Sequence, residues 1–149
     1  MFEIRELPYQ ELEHTTGFDA VVNEYKEETS NTVIGSPSVQ FERYRDLDRL
    51  GSLKCVGAFE EGVLVGLVGV LFAKSQHYDF PVASIESFYL RKAYRKGTNG
   101  LRLIRAVKEL VKREGAPGVI FMAPPETNYE RVCKKLGMVH THSAYWCKV

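Results

Sequence analysis

The stretch with the clearest chemical capacity lies between residues 90 and 103 and reads LRKAYRKGTNGLRL. Gly97, Thr98, Asn99 and Gly100 permit a tight turn that presents backbone N–H groups outward. An apolar-periodic segment follows, so the turn opens a helix and those N–H groups lie at its positive terminus. Such a terminus binds anions. A plain strand-to-helix connection that binds nothing uses the same residues, so the surrounding elements must decide between the two.

The bulk numbers narrow the choice. A chain of 149 residues with 44% hydrophobic and 26% charged content suits one globular domain over residues 1–149. A formal net charge of +1 gives no support to a nucleic acid partner held by bulk electrostatics. The basic cluster at 91–113 comes without an aromatic platform or a groove-reading motif. Cys55, Cys133 and Cys147 are odd in number and lack CxxC spacing, which reads as reduced intracellular thiols. The N-terminus carries Glu3 and Glu6 and no apolar signal region, and the run VLVGLVGVLFA is too short to span a bilayer. The expectation is a cytoplasmic protein with no membrane partner.

Periodicity places the elements. MFEIRELP reads as an edge strand ended by Pro8. Phe18, Val21, Val22 and Tyr25 mark a helix over 17–28. SPSVQFERYRDLDRL reads as a second helix, with Ser36 as cap and Pro37 in the first turn. CVGAFEEGVLVGLVGVLFA is a hairpin turning at Glu61-Gly62. VASIESFYL is a third long strand, in which strict alternation sets Glu86, Phe88 and Leu90 on one face. The glycine turn then leads into a helix buried along Leu103, Ile104, Val107, Leu110 and Val111, ended by Gly115. GVIFMAP is a short buried strand, TNYE at 127–130 a capping box, and Gly137 a helix stop. MVHTHSAYWCKV reads as one or two closing strands, with Tyr145 and Trp146 in the core or a pocket wall. The sum is one mixed α/β (α+β) domain.

That element order, with an arginine-led glycine loop between a central strand and a helix, resembles the GCN5-related N-acetyltransferase (GNAT) superfamily. The family's loop pattern is R-x-x-G-x-G/A after an L-x-V; here Phe88-Tyr89-Leu90, Arg95 and Gly100 take those places. KKLGM at 134–138 is similar to the family's Y-x-x-x-G-F. The resemblance implies a mixed, mostly antiparallel sheet flanked by helices and splayed between its fourth and fifth strands. It also implies acetyl-CoA as co-substrate and no metal. The pyrophosphate would rest on backbone amides of Lys96, Gly97, Thr98, Asn99, Gly100 and Leu101, with the pantetheine arm beside the strand ending at Leu90. The wording YRKGTNGLRLIRAV also looks like acetyltransferases of tailed phages and prophages.

Acetyl transfer to an amine needs a base, an oxyanion donor and a proton for the leaving thiolate. Glu86 is the leading base, with pairing to a basic side chain across the sheet as its alternative, and the Leu90 amide is the oxyanion donor by position. The family's tyrosine acid falls on Cys133, one helical turn after Tyr129, so either Tyr129 takes the role or solvent does. The family's asparagine falls on Glu126, with Asn128 two positions out of register. Cys133 as a small buried hydrophobe is the plainer reading of that thiol. His140 and His142 alternate like metal ligands, but no third ligand with good spacing completes a site.

Two readings stay open. One is an N-acetyltransferase acting on a small amine, a protein lysine or an N-terminus. The other is a catalytically degenerate acyl-CoA-binding or interaction module, kept alive by Thr98, Glu126 and Cys133. The acceptor pocket is expected among the first two helices, the SQHYDFP loop and the C-terminal strands, with Tyr44, Tyr78, Phe80 and Tyr145 as aromatic candidates. The oligomeric state is left open, a homodimer being common in the family.

Overall fold

Glu61 and Gly62 both take positive φ, 49° and 80°, the left-handed geometry that a two-residue hairpin turn requires. They join β2 (Leu53–Glu60) to β3 (Val63–Lys74), the two central strands. The computed structural model describes residues 1–31 and 33–149. On one side β1 (Phe2–Leu7) pairs antiparallel with β2; on the other β4 (Pro81–Leu90) pairs antiparallel with β3. A short β5 (Val119–Ile120) runs parallel to β4, which completes a five-stranded sheet in the order β1-β2-β3-β4-β5.

The parallel pairing involves only Ala83 with Val119 and Ser84 with Ile120. Beyond Ser84 the two strands part, so the sheet is splayed between its fourth and fifth strands as expected. β2 and β3 read as near-continuous apolar runs because both of their faces are covered. One face carries α4 (Asn99–Arg113), whose Leu103, Val107, Leu110 and Val111 pack on Val56, Val68, Val70 and Ile85. The other carries α1 (Tyr9–Leu12), α2 (Phe18–Glu28) and α3 (Phe41–Arg49), with Phe18, Val21, Leu64 and Tyr89 in its core. At about 0.8 kcal/mol per buried methylene, these two apolar layers dominate the stability of the sheet. Glu6 on the edge strand meets Arg113 at the end of α4.

Three elements differ from the sequence reading. The helix assigned from Ser36 begins at Phe41, with Gln40 preceding it, and Ser36 instead bonds Ser30. Val39 explains the delay: it lines an internal pocket, and the chain before the helix runs irregularly to bring it there. The single turn of α1 was not anticipated. The closing strands are absent: residues 138–149 form no strand, and Tyr145 and Trp146 are 92% and 60% exposed rather than core. A strand needs an edge to pair with, and the β5 ladder ends at Ile120. His140 and His142 therefore share no strand face. Thr127 caps α5 (Asn128–Lys135) as expected, accepting from the Glu130 amide, but the Glu130 carboxylate accepts from the Glu126 amide, one residue before the cap. Among the described residues no helix is long and apolar enough to cross a membrane.

Candidate functional site

Strand alternation alone puts Glu86 on the face of Phe88 and Leu90, and the structure corrects this. In the β3–β4 ladder Gly69 faces Ser87 and Val70 faces Ile85, so Glu86 is the extra residue of a β-bulge. One inserted residue reverses the alternation beyond it. Phe88 and Leu90 turn to the α4 face, whereas Glu86 and Ser87 both line a pocket on the α1–α3 face. Across the ladder, a Cβ on Gly69 would lie 2.9 Å from Ser87 Oγ and 3.4 Å from Glu86 Oε2. Glycine there leaves room for the bulge. Glycine inside an apolar strand signals a bulge or a close backbone approach, and that signal was present at Gly66 and Gly69.

The pocket ends on the Glu86 carboxylate. Tyr44 donates its hydroxyl proton to Oε1 at 2.5 Å, and Oε2 is buried with no hydrogen-bond partner. Burial first, and the Glu86 carboxylate second, push the Tyr44 phenol well above its ordinary pKa, so it remains a donor. Tyr9 stacks on Tyr44 with centroids 5.2 Å apart, and its hydroxyl is likewise buried without a partner. Arg45 on α3 pairs with the nearly buried Glu13 just after α1, at 2.8 Å, which ties the elements carrying the two tyrosines. Burial raises Cys55 to about 12, so the thiol in the pocket wall is neutral. The cavity is small, about 40 Å³. Tyr44 lines it as expected. Tyr78 and Phe80 instead stack on each other at 5.1 Å in the β3–β4 loop, and neither reaches the pocket. Tyr9 and Tyr25 line it and were not singled out from the sequence.

The glycine turn expected to hold an anion follows the end of β4. A 3-10 turn at Lys92–Tyr94 leads to Gly97, which takes φ 55°, and Thr98 precedes α4 without capping it. The Asn99 amide bonds Lys96 O, and its side chain bonds Tyr94 O, which fixes the turn. Gly100 and Leu101 belong to the first helical turn, where amides have no intrahelical partner. A Cβ on Gly100 would meet nothing within 4 Å, so the turn faces open space. The Arg95 side chain does not join this turn. Its guanidinium donates to both Glu28 carboxylate oxygens and to the Leu90 carbonyl, and it lies over the Tyr89 ring. Burial opposes ionisation of Glu28, but hydrogen bonds from Arg95 and Tyr89 outweigh it and hold the carboxyl below its usual range. Arg95 and Tyr89 thus brace α2 against the end of β4.

Where β4 and β5 part, Phe88 stacks on Tyr129 of α5 at 5.7 Å, and Phe121 meets the same ring edge-on at 6.3 Å. The Tyr129 hydroxyl is buried without a partner, and burial raises its pKa far enough to keep the proton in place. Tyr25 lines the Glu86 pocket, whereas Phe88, on which Tyr129 stacks, packs on the α4 side of the same strand. Cys133 is half-buried next to Tyr129, its thiol also pushed up by burial. Asn128 is exposed and accepts from Arg131 at 2.8 Å, so its amide serves its own helix. Leu90 ends β4 opposite Gly66, where a Cβ would come within 2.8 Å of Tyr89 O and Leu90 Cδ1. Among the described residues no group of three or more His, Cys, Asp or Glu is placed to hold a metal.

The sheet thus opens between two parallel strands, and a helix terminus facing open space follows the fourth of them. The Acetyltransferase (GNAT) family matches residues 18–138, and the chain belongs to that family. Acetyl-CoA is therefore the co-substrate, and the open turn at Gly100 and the unpartnered Tyr129 hydroxyl fit it. No curated protein matches the sequence. Among solved structures the chain is similar to a ribosomal-protein-alanine N-acetyltransferase from Brucella melitensis biovar Abortus 2308, with TM-score 0.73, 13% identity and 100% of both chains covered. It is also similar to an aminoglycoside acetyltransferase from an uncultured soil metagenomic sample in complex with sisomicin, with TM-score 0.77 and 15% identity over 99% and 96% of the two chains. A third is AAC(6')-Iy bound to a CoA-linked bisubstrate analogue, with TM-score 0.74 and 17% identity over 100% and 98%. These comparisons carry the family and the fold, and give no support to a phage-type subgroup.

Proposed function

We propose that residues 1–149 act as one N-acetyltransferase domain, moving acetyl from acetyl-CoA to a primary amine by direct attack. The observation that carries this is the Glu86 carboxylate: one oxygen is held by Tyr44, the other is buried and unpartnered, and the residue lines a pocket on the strand that parts from β5. An ammonium with pKa near 10.4 must shed a proton before nitrogen can attack. Glu86 Oε2 takes that proton, and the neutral nitrogen then forms the C–N bond. The Leu90 amide donates to the carbonyl oxygen while negative charge collects there. Tyr129 gives its proton to the sulfur as the C–S bond breaks, the second N–H proton shed by the adduct is passed through solvent to the phenolate, and Cys133 stays neutral behind it.

Calorimetric titration with acetyl-CoA tests the cofactor half of this reading. Wild-type protein is expected to bind saturably, and Gly100→Trp to bind at least about tenfold more weakly, because the indole fills the space in front of the helix terminus. No wild-type binding at millimolar acetyl-CoA would favour the interaction-module reading. Release of free thiol in the presence of amines tests the transfer itself. Tyr129→Phe is expected to lower kcat by about tenfold to a hundredfold with little change in the KM for acetyl-CoA. An unchanged kcat would assign protonation of the thiolate to solvent.

A further inference from the structure

The walls of the Glu86 pocket say what kind of amine it takes, given the acetyl-transfer reading above. We infer that the acceptor is an amine carried on a slim, unbranched hydrocarbon stem with no second charge near the first. Among the described residues Glu86 is the sole charged one in the lining; the rest is aromatic, aliphatic or neutral polar. Cys55 contributes no charge, since burial keeps its thiol protonated. One carboxylate balances one ammonium, and the faces of Tyr9 and Tyr44 suit the cation and the methylenes behind it. A second ammonium a few bonds away would be stripped of water with nothing to pair it.

Size gives the second restriction. A cavity of about 40 Å³ is small beside the roughly 150 Å³ of an apolar cavity that takes a benzene ring. An ammonium and two or three methylenes in line fill it. A carbon bearing a branch beside the nitrogen, as in an amino acid or a peptide N-terminus, overfills it. Two polar atoms of its lining residues, Glu86 Oε2 and the Tyr9 hydroxyl, are buried without hydrogen-bond partners. The acceptor groups this admits are a free n-alkylamine or a lysine side chain, which share the same stem.

The test compares n-butylamine with sec-butylamine, 1,3-diaminopropane, an aminoglycoside, an alanine-starting peptide lacking lysine and an N-acetylated peptide with one lysine. Two readouts are used: acetylation with acetyl-CoA, and saturation-transfer NMR of amine binding without it. The expected result is a kcat/KM for n-butylamine or the lysine peptide at least about tenfold above the branched, dicationic and polycationic amines. Which of those two is better then separates a free amine from a protein lysine. The NMR signal of n-butylamine is expected to exceed that of sec-butylamine and to fall in Glu86→Gln and Val39→Trp, with folding of both variants checked by circular dichroism. Equal or better binding or turnover of the branched or multiply charged amines overturns the inference. Selective n-butylamine binding without acetylation of any amine would uphold it and instead remove the transferase reading.

Discussion

Glu86→Gln is expected to lower kcat/KM for amine acetylation by about 10²- to 10⁴-fold at neutral pH, the contribution of a positioned general base. The substitution keeps the size of the side chain and still accepts from Tyr44, so the pocket keeps its shape; only the capacity to take a proton is lost. The pH dependence separates this from a structural effect. At pH 7 an amine of pKa near 10.4 is free to the extent of about one molecule in 10³ to 10⁴. Each unit of pH raises that fraction about tenfold until the pKa is approached, so the variant, which depends on amine already free, gains rate steeply. Wild-type enzyme removes the proton itself and gains less. The ratio of the two rates is therefore expected to shrink between pH 7 and 9.5. A constant ratio, or wild-type turnover in the variant, would end the assignment of Glu86 as base.

Much of this site was legible because its determinants are local. The Glu61-Gly62 turn, the buried stripe of α4, the loop from Arg95 to Leu101 and the Thr127 cap each depend on a few neighbouring residues. What escaped is set by partners distant in sequence. Strict alternation predicts a face for Glu86, but the bulge is a property of two strands, and its other half is Gly69. Ser36-Pro37 is a good local helix start, overridden because Val39 is drawn into the pocket. The closing segment has the alternation of a strand without an edge to receive it. Arg95 sits where the family motif places it, yet its charge is satisfied by Glu28, 67 residues earlier. The setting of Tyr129 was likewise not local: packing between Phe88 and Phe121 buries its hydroxyl, and spacing along one helix says nothing of that.

Gly66→Ala is the second large effect expected, and it tests the Leu90 amide without altering any polar group. The added methyl would stand 2.8 Å from Tyr89 O and 3.2 Å from Leu90 Cα, closer than real contacts allow, so the end of β4 must shift. Backbone atoms are in the way, and no side-chain rotation relieves them. An oxyanion donor moved by part of an ångström loses alignment with the developing charge, and kcat is expected to fall by about tenfold to a hundredfold. Overpacking will also cost about 1–3 kcal/mol of stability, so activity loss alone would be ambiguous. Gly57→Ala supplies the comparison. Its methyl meets the Phe59 ring at 2.6 Å and Leu64 Cδ1 at 3.1 Å, on β2 and away from Leu90. It is expected to lower the melting temperature comparably and leave kcat nearly unchanged. Equal kcat losses in the two variants would make the Gly66 effect one of general packing. Retained kcat in a folded Gly66→Ala protein would show that the oxyanion is stabilised elsewhere than at Leu90.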